Sequence, residues 1–182
     1  MDFLNELFNQ NRISPLQRKN DLEYEVKYHN KLISKRGFEI ISTIPKGEEI
    51  LILYRHFYED IPNHEETSII LGIRVISKDG THYPDPMLKA FFNADFNMIS
   101  LADIEIAEPL SNHGYGSILL SNLIQIAKAR NINNISGWIS NVDSDHLDRL
   151  VHFYKKHDFK VSLEGKRIDS HKIGELVWQN IL

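Results

Sequence analysis

The sequence predicts a mixed α/β fold, and three observations carry that prediction. Strand-like segments fill the first half, two helices with apolar stripes alternate with short strands in the second, and two further strands close the chain. With 182 residues, 42% of them hydrophobic and 25% charged, the chain fits one domain and can bury a core.

Residues 1–36 read as a helical segment, followed by one domain over 37–182. A short helical stretch surrounds Phe3–Phe8 and breaks at Ser14-Pro15. From Leu16 to Lys35, Leu22, Val26 and Ile33 recur near a 3.6-residue period, with Tyr24, Tyr28 and Leu32 on a neighbouring stripe. Lys35 and Arg36 suit the negative end of a helix dipole, and Gly37 suits its terminus. Phe38–Ile44, Glu49–Tyr58 and Thr67–Ser77 are rich in β-branched and aromatic residues between turn sequences, so they read as strands. Residues 81–96 fit helix or strand, with Tyr83-Pro84-Asp85-Pro86 as a break. Asn97–Ala107 reads as a strand with apolar Ala102, Ile104 and Ile106 on one face and Asp103 and Glu105 on the other.

A helix is predicted from about Gly116 to Arg130, with Leu119, Leu120, Leu123, Ile124 and Ala127 at helical spacing. Ile135–Ser140 reads as a short buried strand. A second helix runs from Ser144 or Asp145, as N-cap, to His157, and Phe159–Leu163 and Gly174–Asn180 read as the last strands.

Composition removes several function classes. Without cysteine there is no disulfide scaffold, thiolate metal site or cysteine nucleophile. His152 and His157 stand five apart on their helix, an awkward spacing for one ion, so no metal is expected. No apolar run approaches the roughly 20 residues of a membrane span, and the start lacks the features of a secretion signal, so a cytoplasmic protein with no membrane contact is expected. The net charge of −4 is unevenly placed. Residues 12–36 carry seven basic and three acidic side chains, a formal +4, which leaves −8 for the remainder. Nucleic acid is one reading of that basic segment; the solvated face of a helix is favoured, because no aromatic or glycine pattern of an RNA-binding module accompanies it.

The chemistry concentrates in Ile104-Glu105-Ile106-Ala107-Glu108-Pro109-Leu110-Ser111-Asn112-His113-Gly114-Tyr115-Gly116-Ser117. A strand feeds a glycine-bearing loop that opens a helix, and free amides at a helix start suit a phosphate. The stretch is neither a full G-x-G-x-x-G nor a Walker loop.

Taken with the strand Ile135–Ser140 and a helix ending Phe153-Tyr154-Lys155-Lys156 before Phe159, this stretch resembles the GNAT superfamily of acyl-CoA-dependent N-acyltransferases over roughly residues 97–180. The resemblance implies a twisted, mostly antiparallel sheet with helices on both faces, splayed at its fourth strand into a V-shaped slot. The pantetheine arm of acetyl-CoA, the co-substrate, would lie in that slot against the backbone of Ile104 and Ile106. The amides of Asn112, His113, Gly114, Tyr115, Gly116 and Ser117 would hold the pyrophosphate, and Tyr154 would be the acid that protonates the leaving thiolate. Glu105 is the first candidate for general base, with Asp103 one step further along the same face. The sequence departs from the family at Ser111, where Arg or Gln is usual, at Asn112 and Asp158, commonly glycine, and at Leu147, commonly Asn.

The implied reaction is acetyl transfer from acetyl-CoA to a primary amine; the alternative is a non-catalytic acyl-CoA-binding or interaction module of the same fold. Acceptor choice would fall to residues 16–36, 56–66 and 81–96, where Glu59, Asp60, Glu65, Glu66 and Asp85 lean towards a cationic amine. The last strand, with Leu176, Val177 and Trp178, is a candidate for pairing across a homodimer.

Overall fold

The computed structural model describes residues 11–19, 21–56, 66–163 and 171–180. Among them are ten strands and three α-helices in a mixed α/β arrangement. In chain order these are β1 (Arg12–Ser14), α1 (Leu22–Lys35), β2 (Phe38–Lys46), β3 (Glu49–His56), β4 (Ser68–Ser77), β5 (Gly80–Tyr83), β6 (Met87–Phe92), β7 (Met98–Glu105), α2 (Tyr115–Ala129), β8 (Asn134–Ser140), α3 (Leu147–Lys156), β9 (Lys160–Leu163) and β10 (Lys172–Gln179). The chain divides into two compact units. One comprises Met1–Asn63, Ile70–Leu88 and Ile104–Leu119; the other comprises His64–Ile69, Lys89–Asp103 and Leu120–Leu182.

In the first unit the strands follow the order β2-β3-β4-β5-β1, every pair antiparallel. Residues 51–55 and 71–77 are buried without alternation, as expected of central strands covered on both faces. Two expectations change at the start. Residues 12–14 form a strand rather than helix, because Arg12, Ile13 and Ser14 pair with Tyr83, His82 and Thr81. The helix starts only at Leu22, where the Asp21 carboxylate accepts from the Tyr24 amide at 2.9 Å.

The face that α1 buries also differs from the apolar stripe. Its buried residues are Glu25, His29 and Ile33, while Leu22 and Val26 pack as partly buried neighbours of a core of Ile33, Ile52, Tyr54 and Ile76. His29 is buried against partners that β4 and β5 supply, and Glu25 against the backbone that precedes the helix. Arg74 grips Asp85 with two bonds, Nε to Oδ1 at 2.7 Å and Nη2 to Oδ2 at 2.9 Å. Its Nη1 donates to His29 Nδ1 at 2.9 Å and to the Tyr83 hydroxyl at 3.1 Å. A guanidinium only donates, so His29 Nδ1 is the bare nitrogen and Nε2–H faces Thr81 Oγ1 at 2.9 Å. Burial and then the Arg74 charge push the His29 pKa down to about 4. Tyr54 donates to Asp85 Oδ2 at 2.6 Å, and Glu25 accepts from the amides of Gln17 and Arg18.

In the second unit β7 runs parallel to β8, and β8, β10 and β9 follow in antiparallel pairs. One face is apolar, with Ile99, Leu101, Ile135, Ile139, Leu176 and Trp178 all buried. The opposite parity carries Ser100, Ala102, Trp138 and Glu175, all exposed. The apolar Ala102–Ile104–Ile106 stripe is therefore not the core face of β7. Ala102 is exposed and Ile104 and Ile106 are half-buried, while the buried positions are Ile99 and Leu101. β10 pairs with β8 over Lys172–Gln179 and with β9 over Gly174–Val177, and Leu176 and Trp178 point into the core. The segment after β8 is a 3₁₀ turn, Asn141–His146, capped by Ser140 accepting from the Val142 amide at 3.3 Å. Ser144 and Asp145 therefore lie inside that turn instead of capping α3. Glu59, Asp60 and Glu65 lie outside the described residues, as does the helical stretch expected at Phe3–Phe8.

Candidate functional site

β7 and β8 are in register for only three residue pairs, Met98 with Asn134, Ile99 with Ile135 and Ser100 with Ser136. Beyond them β7 continues to Glu105 and β8 to Ser140 with no further pairing between them. Two parallel strands that stay extended yet stop pairing diverge from one another. A cavity of about 730 Å³ lies across the solvent face of the three strands beside this parting, lined by Ser100, Leu101 and Ala102 of β7, Ser136, Gly137 and Trp138 of β8, and Glu175 and Val177 of β10. The splay falls at the strand expected, which is the seventh in chain order because β1, β5 and β6 precede it.

The other half of the candidate site is the loop between β7 and α2. Glu108–Leu110 form one 3₁₀ turn, closed by the Leu110 amide on Ala107 O at 2.8 Å and the Ser111 amide on Glu108 O at 3.0 Å, with Leu110 buried as its anchor. Asn112 and Gly114 then take left-handed backbones, φ 64° and 80°. Asparagine tolerates that region and glycine adopts it without cost. A side chain at Gly114 would meet nothing within 4 Å, so the glycine serves the backbone turn and leaves open space above it. α2 begins at Tyr115, one residue earlier than its apolar spacing suggests. The amides of Tyr115 and Gly116 sit in its first turn, where no carbonyl lies one turn earlier to receive them. An anion is the natural complement of this geometry.

The Tyr115 side chain is fully buried and donates its hydroxyl to Glu49 Oε2 at 2.6 Å. Burial, and then that carboxylate, hold its pKa well above the usual phenol value. Tyr115 therefore offers a ligand its backbone alone. His113 is exposed and stacks on the Tyr115 ring at 5.7 Å.

Glu105 is exposed at the end of β7, between half-buried Ile104 and Ile106. Asp103 and Glu105 continue the parity of buried Ile99 and Leu101, so they occupy the positions where that face runs out of apolar cover. Tyr154 is 9% exposed on α3, held edge-on between Phe153 at 5.1 Å and Phe159 at 5.4 Å. The chain leaves α3 through Asp158 in the left-handed region, φ 64°, and the Phe159 amide returns to Tyr154 O at 3.1 Å. Ile104, Glu105, Ile106 and residues 112–117 belong to the first unit and Tyr154 to the second. Among the described residues no group of three or more His, Asp or Glu side chains could hold a metal ion, and no helix is long and apolar enough to cross a membrane.

The model of the acetyltransferase (GNAT) family matches residues 54–159. The chain belongs to the GNAT acetyltransferase family. It is 49% identical over 53 residues to the uncharacterized protein YocC of Bacillus subtilis (strain 168), a match covering 29% of this chain and 32% of that one. The chain thus spans about a third of the length of that curated relative. Among solved structures it is similar to the PaiA N-acetyltransferase of Thermoplasma acidophilum in complex with coenzyme A, at 17% identity and TM-score 0.45, covering 63% of this chain and 62% of that one. It is also similar to a GNAT family acetyltransferase of Elizabethkingia anophelis with acetyl-CoA bound, at 13% identity and TM-score 0.48, covering 74% and 100%.

One residue of this GNAT chain, Trp138, carries no expectation from the sequence. Trp138 is 57% exposed at the wall of the strand gap. Its signal was available, since Ser136, Trp138 and Ser140 share the parity opposite to Ile135 and Ile139. Asp85 is the reverse case. It was expected in an acidic mouth, and the structure buries it against Arg74 and Tyr54.

Proposed function

We propose that this chain transfers the acetyl group of acetyl-CoA directly to a primary amine. The observation that carries the reading is the parting of β7 from β8 after three residue pairs, beside a cavity. The backbone of Ile104 and Ile106 aligns the pantetheine arm. The amides of Asn112, His113, Gly114, Tyr115, Gly116 and Ser117 hold the pyrophosphate, an assignment supported by the two left-handed residues and the open space at Gly114. The co-substrate supplies the activated thioester. Glu105 takes a proton from the amine as its nitrogen bonds to the carbonyl carbon; as the carbon–sulfur bond breaks, Tyr154 protonates the departing thiolate. With no cysteine in the sequence, the transfer involves no thiol of the protein.

Titration calorimetry with acetyl-CoA, followed by thiol release over polyamines, aminoglycosides and lysine-bearing peptides, tests the reading. Saturable coenzyme binding and turnover on at least one amine are expected, and Tyr154→Phe is expected to lower kcat by about 100-fold or more with KM little changed. Absence of coenzyme binding at high micromolar concentration would sink it. The burial of Tyr154 between two phenylalanines favours one competing reading, a module that binds acyl-CoA without chemistry. Tight coenzyme binding with no turnover on any amine, unaffected by Tyr154→Phe, selects that reading.

A further inference from the structure

We propose that the cavity bounded by β1, β5 and the Ala107–Leu110 turn is an anion subsite, taking a carboxylate or phosphate group carried on an apolar body, with Arg12 as its counter-charge. The cavity measures about 410 Å³, room for a ring or short chain bearing one such group. Ala107, Pro109, Leu110 and Ile13 supply apolar wall, and Asn11, Arg12, His82 and Tyr83 supply the polar part. All belong to the first unit.

Arg12 is prepared for this task by its strand. The register places it directly opposite Tyr83, and its guanidinium lies 5.2 Å over the Tyr83 ring. That ring is itself held, because its hydroxyl accepts from Arg74 Nη1 at 3.1 Å. A stacked guanidinium keeps its in-plane N–H groups available for a planar anion.

Charge selects the ligand. Among the described residues no carboxylate lines the cavity. Asp85, two residues from Tyr83, is committed to Arg74 and Tyr54. His82 Nε2 meets Ser77 Oγ at 3.1 Å and carries no negative charge in either protonation state. A cationic ligand would face the charge of Arg12, whereas an anion would pair with it.

The Ala107–Leu110 turn runs straight into the Ser111–Ser117 loop, so the anionic group has two sources. It is either a phosphate of the coenzyme, outside the pyrophosphate, or the carboxylate of the acceptor. Assigning either source rests on the transferase reading; the subsite itself does not.

The test uses the full chain and two variants, Arg12→Gln, which removes the charge, and Arg12→Lys, which keeps it. Benzoate titrated onto the free chain and followed by NMR is expected to bind saturably, about tenfold or more weaker in Arg12→Gln and partly restored in Arg12→Lys. If the coenzyme is the source, Arg12→Gln loses about tenfold in affinity for coenzyme A and nothing for 3′-dephospho-coenzyme A. If the acceptor is the source, both coenzymes bind as before, and KM rises about tenfold for amines bearing a carboxylate but not for their decarboxylated counterparts. Identical behaviour of wild type and Arg12→Gln in all three measurements overturns the subsite. A wild-type chain that binds no coenzyme but shows Arg12-dependent benzoate binding sinks the transferase reading and keeps the subsite.

Discussion

The α1-covered face of the first unit and the open face of the second use polar side chains in opposite ways. Beneath α1, Glu25, His29, Arg74 and Asp85 are buried and bonded to one another or to backbone, and the network holds a helix against a sheet. Across β7, β8 and β10, Ser100, Trp138 and Glu175 stand in solvent beside a gap between strands. A saturated buried network sets geometry and leaves no hydrogen-bonding capacity over. A half-paired strand keeps that capacity and is the place where a ligand can bind. The difference teaches where to look for chemistry: at the unspent donors and acceptors, not at the densest cluster of charges.

That contrast can be broken most severely at Asp85. Asp85→Ala leaves the Arg74 guanidinium buried without its carboxylate and is expected to cost about 3–5 kcal/mol, read from the urea midpoint. Acid attacks the same network through His29. Its pKa is lowered in the folded chain, so the unfolded chain takes up the proton first. The resulting stability is complete above about pH 6.5 and is lost as pH falls towards 4, by up to about 3 kcal/mol. Denaturant melts across that window, with His29→Gln losing much of the slope, check it. Gly72→Ala comes next. An added Cβ would lie 2.4 Å from the Tyr54 ring, which is held by Asp85, and about 1–3 kcal/mol of destabilisation is expected from melting curves. The smallest stability effect is expected on the open face, where Trp138→Ser changes melting stability by no more than about 0.5 kcal/mol. A cost at Trp138 comparable to that at Asp85 would erase the contrast.

Residues 97–180 were largely readable from the sequence. The alternating strand, the glycine loop and the apolar helix are local patterns, and the structure places α2 at Tyr115 and β8 at Asn134, each one residue from its expected start. Asn112 and Asp158 adopt the left-handed backbones their positions demand. Long-range partners explain what escaped. Arg12-Ile13-Ser14 has no strand signature of its own and is extended because β5 offers an edge. Glu25 and His29 read as solvated helix positions; His29 is buried because Arg74 and Thr81, some 45 and 52 residues away, complete its bonding, and Glu25 because the Gln17 and Arg18 amides turn back onto it. Tyr83-Pro84-Asp85-Pro86 was legible as a break, but nothing local says that Asp85 turns inward.

The hydrogen bond from Tyr115 to Glu49 has a consequence for how the loop meets a ligand. It bolts the first residue of α2 to β3, a strand bonded on both edges, and Lys46 of the neighbouring β2 lies 5.5 Å from the same ring. The turn ahead of the helix is therefore anchored to the hairpin end of that strand. Under the proposed reading, an incoming anion would meet amides already held in place, so little configurational freedom would be surrendered on docking. In such a loop, affinity would be governed by how well the anchor resists thermal motion as well as by the donors on display.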